Sequence, residues 1–168
     1  MNAVKRIISV IGTSTATPEQ YVLARRVGRL LAEAGALVVC GGKGGVMEGV
    51  CRGVSDAGGA SVGILPEKRS EANPYVTIPI TTGIGEARNV VVVSSGDAVI
   101  SIGGGPGTLS EIGFALKIGK PVVSLHTWLP LDENGAKTPL HEAESPEDAV
   151  ALALRLAEGE CDRGALRS

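Results

Sequence analysis

The sequence predicts an α/β fold: a single domain over residues 1–168, built on a parallel sheet with helices on both faces. Three observations carry this expectation. Short apolar runs alternate with longer segments of helical periodicity along the chain. Most of those runs are near-continuous rather than alternately polar, as strands covered on both faces require. Glycine-rich or small-residue loops follow three of them, at residues 12–17, 41–45 and 103–107.

Taken in order, Arg6 to Ile11 is the first buried strand. Pro18 suits the first position of the next helix, and Thr17 with Gln20 fits a capping box. Val22, Val27, Leu30, Leu31 and Ala34 keep helical spacing until Gly35. Ala36 to Cys40 is the second strand. A helix from Val46 presents Met47, Val50, Val54 and Ala57, and stops at Gly58-Gly59. Ala60 to Leu65 is the third strand, closed by Pro66. Residues 66–75 are polar and irregular and read as a mobile loop. Val76 to Ile80 is a short strand, placed at an edge because Pro79 lacks a donor. Thr81 to Gly85 is a turn.

Four consecutive valines, Val90 to Val93, favour a strand by propensity. A buried helix over Gly85 to Ser95 fits better, because another strand pattern, Asp97 to Ile102, follows after Gly96 alone. Thr108 to Ile118 reads as a helix with a capping box formed by Thr108 and Glu111. Val122 to Leu125 is the fifth core strand. A long loop, His126 to Glu144, holds the only tryptophan, Trp128. Ser145 and Pro146 open a last helix running to about Glu158, and the tail after Gly159 reads as frayed.

Composition narrows the function. The net charge is −2 with both signs dispersed, so there is no basic footprint for nucleic acid. No apolar run is long enough for a membrane span, and the start does not read as a signal peptide, so a cytoplasmic location is expected. Cys40, Cys51 and Cys161 are expected as reduced thiols. No metal site is expected, since His126 and His141 lack ligand spacing. Aromatic residues are so few that a ligand ring would rest against aliphatic groups and Met47.

Because the three small-residue loops all follow strands, they fall on one edge of a parallel sheet and can converge on one ligand. Gly12, Thr13 and Ser14 come from the first loop, and Gly41, Gly42, Lys43 and Gly45 from the second, with Met47 just beyond. Gly104, Gly105, Gly107 and Thr108 come from the third. Glycine lets backbone N–H groups approach a ligand, and a helix N-terminus favours an anion, commonly phosphate. The bland reading is that tight turns alone require these glycines. Arg88 either clamps a phosphate or pairs with a carboxylate such as Glu111, and Lys43 either meets the ligand or is merely exposed. Neither the P-loop nor the full dinucleotide fingerprint is present.

Two stretches resemble a family. Gly41-Gly42-Lys43-Gly44-Gly45-Val46-Met47 is similar to the G-G-G-x-x-G-[LV]-M element of the LOG-like superfamily. Gly104-Gly105-Pro106-Gly107-Thr108-Leu109-Ser110-Glu111 resembles the core of its P-G-G-x-G-T-x-x-E motif. The superfamily includes nucleoside-monophosphate phosphoribohydrolases, proteins once labelled lysine decarboxylases, and molybdenum-cofactor carriers. The resemblance implies a Rossmann-like fold, a homodimer or homotetramer, and a phosphorylated ligand at the glycine loops. In its hydrolases an Arg and the motif Glu carry N-glycosidic cleavage, and Arg88 and Glu111 match those positions. Asn89 in place of Lys, and Gly103 in place of Pro, bring the chain closer to the short carrier-like branch. The resemblance thus implies binding of a phosphorylated heterocycle, nucleotide or pterin type, with molybdenum cofactor or a nucleoside monophosphate as ligand and no further cofactor required. The alternative is a nucleoside 5′-monophosphate phosphoribohydrolase. A lysine decarboxylase is not expected, because no lysine has a recognisable pyridoxal-phosphate setting.

Overall fold

The computed structural model describes residues 6–128 and 130–159. Its elements are β1 (Ile7–Gly12), α1 (Pro18–Glu33), β2 (Leu37–Cys40), α2 (Val46–Asp56), β3 (Ser61–Leu65), β4 (Ile78–Thr81), α3 (Arg88–Ser95), β5 (Ala98–Ile102), α4 (Pro106–Lys117), β6 (Val122–Leu125), β7 (His141–Ala143) and α5 (Pro146–Ala157). The strands form one sheet in the order β4-β3-β2-β1-β5-β6-β7. Every pairing is parallel. The chain winds outward from β1 to β4, then returns to the other side of β1 with β5. The switch point therefore lies between β1 and β5, where ligands of such sheets sit beyond the strand ends.

The pleat sends alternate side chains to opposite faces. Ile8, Val10, Val38, Ile100 and Leu125 pack with α1, α2 and α5 on one face. Ile11, Val39, Val62, Ile64 and Val99 pack with α3 and α4 on the other. The expected Rossmann-like α/β architecture with helices on both faces is the one observed. Inside the second face Ser9 is also buried, and its hydroxyl donates to the Val92 carbonyl at 2.6 Å.

Helices α1 and α2 meet backbone to backbone. A Cβ on Gly28 would overlap the Val50 carbonyl, and one on Gly53 the Arg25 carbonyl. This close approach brings the loop before α2 down beside the loop before α1. The capping box of α1 forms as expected, with Thr17 Oγ1 accepting from Gln20 N–H at 3.2 Å and Gln20 Oε1 accepting from Thr17 N–H at 3.0 Å. Ser145 caps α5 through Asp148 N–H.

Several expectations need correction. The helix expected from Thr108 begins at Pro106, and its N-cap is Gly105 with no side-chain cap. Thr108 and Glu111 are both buried, so they do not form the capping box. Proline at the first helical position already removes one orphan N–H and presets φ, so the helix can start earlier than a Thr-based cap implies. Residues 126–144 are not all loop: His141–Ala143 forms β7, paired to β6. Three residues, two of them polar, are too short and too polar a run to announce a strand in the sequence. The edge strand containing Pro79 lies at the sheet edge but runs from Ile78 to Thr81, so Thr81 leaves the turn assigned to it. The helix over Gly85–Ser95 is a 3₁₀ turn, Gly85–Ala87, followed by α3. Residues 66–75 contain a 3₁₀ turn at Arg69–Glu71. Cys161 and the tail beyond Gly159 lie outside the described residues. Among the described residues no helix is long and apolar enough to cross a membrane, and no group of three metal-ligating side chains occurs.

Candidate functional site

A cleft of about 250 Å³ opens at the carboxyl ends of β1, β2 and β5. Each of the three glycine loops contributes to its lining. Gly12, Thr13 and Ser14 come from the first, Gly41 and Lys43 from the second, and Gly105, Gly107 and Thr108 from the third. Met47, Arg88 and Glu111 complete the set of expected residues found there.

The loops are fitted to one another by short contacts. The Thr13 carbonyl accepts the first N–H of α2, from Val46, at 3.0 Å. Gly45 has φ +65°, and a Cβ there would collide with the Thr13 carbonyl. Gly12 ends β1 against the Ile102 carbonyl and Val46, with no room for a side chain.

Gly42, Gly45 and Gly104 do not line the cleft. Gly42 packs against Gly63 of β3, and Gly104 against Thr108, both with positive φ. These three shape the loops from behind.

Gly105 and Gly107 differ. Neither has a positive φ, and a Cβ at either would meet nothing within 4 Å. Gly105 is the N-cap of α4, a position that prefers glycine to alanine, but nothing in the fold requires glycine at Gly107, and both face the cleft. The N–H groups of Gly107 and Thr108 find no acceptor among the described residues. They open the positive end of α4 toward the cleft, which suits an anion.

Arg88 is the first residue of α3 and is only 4% exposed. Its guanidinium reaches over Gly41, where a Cβ would overlap Nη1. Its ion pair is with exposed Glu86 at 3.7 Å rather than with Glu111. Its Nε is buried and has no hydrogen-bond partner among the described residues.

Glu111 lies one turn into α4 and is 9% exposed. Burial pushes its carboxyl up to about 7, with Arg88 opposing and Glu86 reinforcing the shift. The cleft thus holds a fixed cation beside a carboxyl that exchanges its proton near neutrality, an arrangement suited to binding an anion or to acid–base chemistry.

Glu86, Asn89, Val10 and Ile11 also line the cleft. Glu86 was not singled out from the sequence, although it belongs to the same Glu-Ala-Arg-Asn run as Arg88. Val10 and Ile11 read only as core, because nothing in an apolar strand marks which residues reach its open end.

The SLOG cluster4 family model matches residues 5–152. A protein of Archaeoglobus fulgidus is 47% identical over 143 residues, spanning 85% of this chain and 91% of that protein. The solved structure of the molybdenum cofactor binding protein of Rippkaea orientalis is 38% identical, with a TM-score of 0.78 over 88% of this chain and 94% of that one. The molybdenum cofactor carrier protein of Chlamydomonas reinhardtii is 35% identical, with a TM-score of 0.81 over 92% and 99% respectively. These neighbours agree with the carrier-like branch of the LOG-like superfamily that the glycine motifs resemble. The chain belongs to the SLOG cluster4 family.

Proposed function

We propose that this protein is a carrier that holds a phosphorylated heterocycle of the molybdenum-cofactor type in the cleft between β1 and β5. The observation that carries the reading is Gly107. Inside the first turn of a helix glycine is weaker than alanine, and at Gly107 no clash or backbone angle demands it. What remains is close approach of a ligand to the backbone. The free N–H groups of Gly107 and Thr108 meet the phosphate, Arg88 supplies a second charge-assisted contact, and Met47, Val10 and Ile11 give the ring an apolar wall. Likeness to the two molybdenum-cofactor proteins supports this choice of ligand. Protein purified from cells that make molybdenum cofactor, then denatured and assayed for pterin fluorescence and bound molybdenum, should contain both. A cofactor-free preparation that also fails to bind added cofactor would refute the carrier reading.

A second reading is nucleoside 5′-monophosphate hydrolysis. It is favoured by Glu111, a buried carboxyl near neutrality beside Arg88. Such a group can donate or accept a proton as an N-glycosidic bond breaks. Incubation with AMP tests it: release of adenine and ribose 5-phosphate that is lost in Glu111→Gln supports hydrolysis, and no release removes it.

A further inference from the structure

Asn73 lies outside the cleft, on the segment between β3 and β4, yet it is only 8% exposed. All of its polar groups are engaged. Its side-chain Nδ2 donates to the Gly42 carbonyl at 3.1 Å and to the Lys43 carbonyl at 2.9 Å. Its backbone N–H donates to the same Gly42 carbonyl at 2.8 Å. Its Oδ1 accepts from Tyr75 N–H at 3.1 Å, which fixes the amide's orientation. A residue thirty positions away therefore grips two consecutive carbonyls of the second glycine loop.

The consequence follows from peptide geometry. In a trans peptide the C=O and the next N–H point in opposite directions across a rigid plane. The bonds after Gly42 and Lys43 are trans. With both carbonyls drawn to Asn73, the N–H groups of Lys43 and Gly44 face the other way. Asn73 and Gly63 of β3 are on one side of the loop. Gly41 and Lys43 line the cleft, Gly44 does not, and a Cβ on Gly44 would meet only the Ser14 carbonyl, at 3.4 Å. Neither N–H has an acceptor among the described residues. Two adjacent, same-facing N–H groups form an anion-binding concavity.

We propose that Asn73 is a positioning residue for the ligand: it holds the second glycine loop so that the Lys43 and Gly44 amides face the cleft and bind anionic oxygen. The inference rests on the reading of the cleft as an anion site. It assigns a role to the segment between β3 and β4, which contributes no residue to the cleft wall. Substitution by Asp would not replace it, because a carboxylate presents acceptors to carbonyls that need a donor.

The test is a titration of ¹⁵N-labelled protein with inorganic phosphate and with AMP, reading individual amide resonances. In the wild type, the Lys43 and Gly44 amides should shift together with those of Gly107 and Thr108. In Asn73→Ala and Asn73→Asp, the shifts at Lys43 and Gly44 should vanish and affinity fall about tenfold, while Gly107 and Thr108 still respond. A merely structural role would weaken both loops' responses alike. If Gly107 and Thr108 respond in the wild type and Lys43 and Gly44 do not, or if the variants bind as the wild type does, the role of Asn73 is overturned and the anion site stands. If neither loop responds to either probe, both ideas fail. The wild-type pattern decides even if the variants do not fold.

Discussion

Gly41 lies against the guanidinium of Arg88, so closely that a methyl group on Gly41 would come within 2.0 Å of Nη1 and 2.6 Å of Met47 Sδ. The end of β2 and the start of α3 thus share one small volume at the floor of the cleft. Gly41→Ala should push the flexible tip of Arg88 outward rather than unfold the sheet. The expected outcome is anion affinity reduced at least tenfold by calorimetry, with a stability loss of about 1 kcal/mol or less by denaturant melts.

A paired substitution separates fold from ligand on one helix. Gly107 and Gly113 both lie in α4, and a Cβ at either meets nothing within 4 Å. Alanine at either site should raise stability by up to about 1 kcal/mol. Only Gly107 lines the cleft. Gly107→Ala should therefore weaken binding while Gly113→Ala leaves it unchanged, as measured by thermal melts and ligand titration side by side.

The glycines between α1 and α2 predict the opposite behaviour. Gly28→Ala or Gly53→Ala forces a methyl into a facing carbonyl oxygen, and backbone cannot swing aside as a side-chain tip can. Each should cost about 3 kcal/mol in urea denaturation, with expression falling accordingly.

Glu111 gives a pH dependence with a definite sign. Its carboxyl titrates near 7 when folded, above the ordinary 4.5, so the folded state holds the proton more tightly than the unfolded state. Stability should then fall as pH rises from about 4.5 through 7 and level off above, by on the order of 3 kcal/mol at most. Glu111→Gln should flatten that slope, matching the wild type near pH 5 and exceeding it at pH 8. An unchanged slope in the variant would show that another group is responsible.

Much of this site could be read from the chain because its parts obey local rules. Apolar runs such as Arg6–Ile11 and Ala98–Ile102 announce strands, and a loop after a strand in a parallel sheet has little choice of edge. The convergence of the three loops followed from that constraint. What could not be read depended on distant partners. Whether Gly42 or Gly107 lines the cleft depends on Gly63 behind the first and open space before the second, neither encoded nearby. Thr108 and Glu111 matched a capping pattern, but Pro106 started the helix earlier and burial turned both residues toward the cleft. Asn73 looked like ordinary loop composition, since its partners lie some thirty residues earlier.

The most direct test is a fluorescence titration of cofactor-free protein with molybdenum cofactor, comparing the wild type with a Gly107→Ala variant of equal or greater melting temperature. Saturable binding of one cofactor per chain, weakened at least tenfold in the variant, is the predicted result. Equal affinity in the two proteins, or no binding by the wild type, would contradict the claim that backbone at the start of α4 receives the ligand.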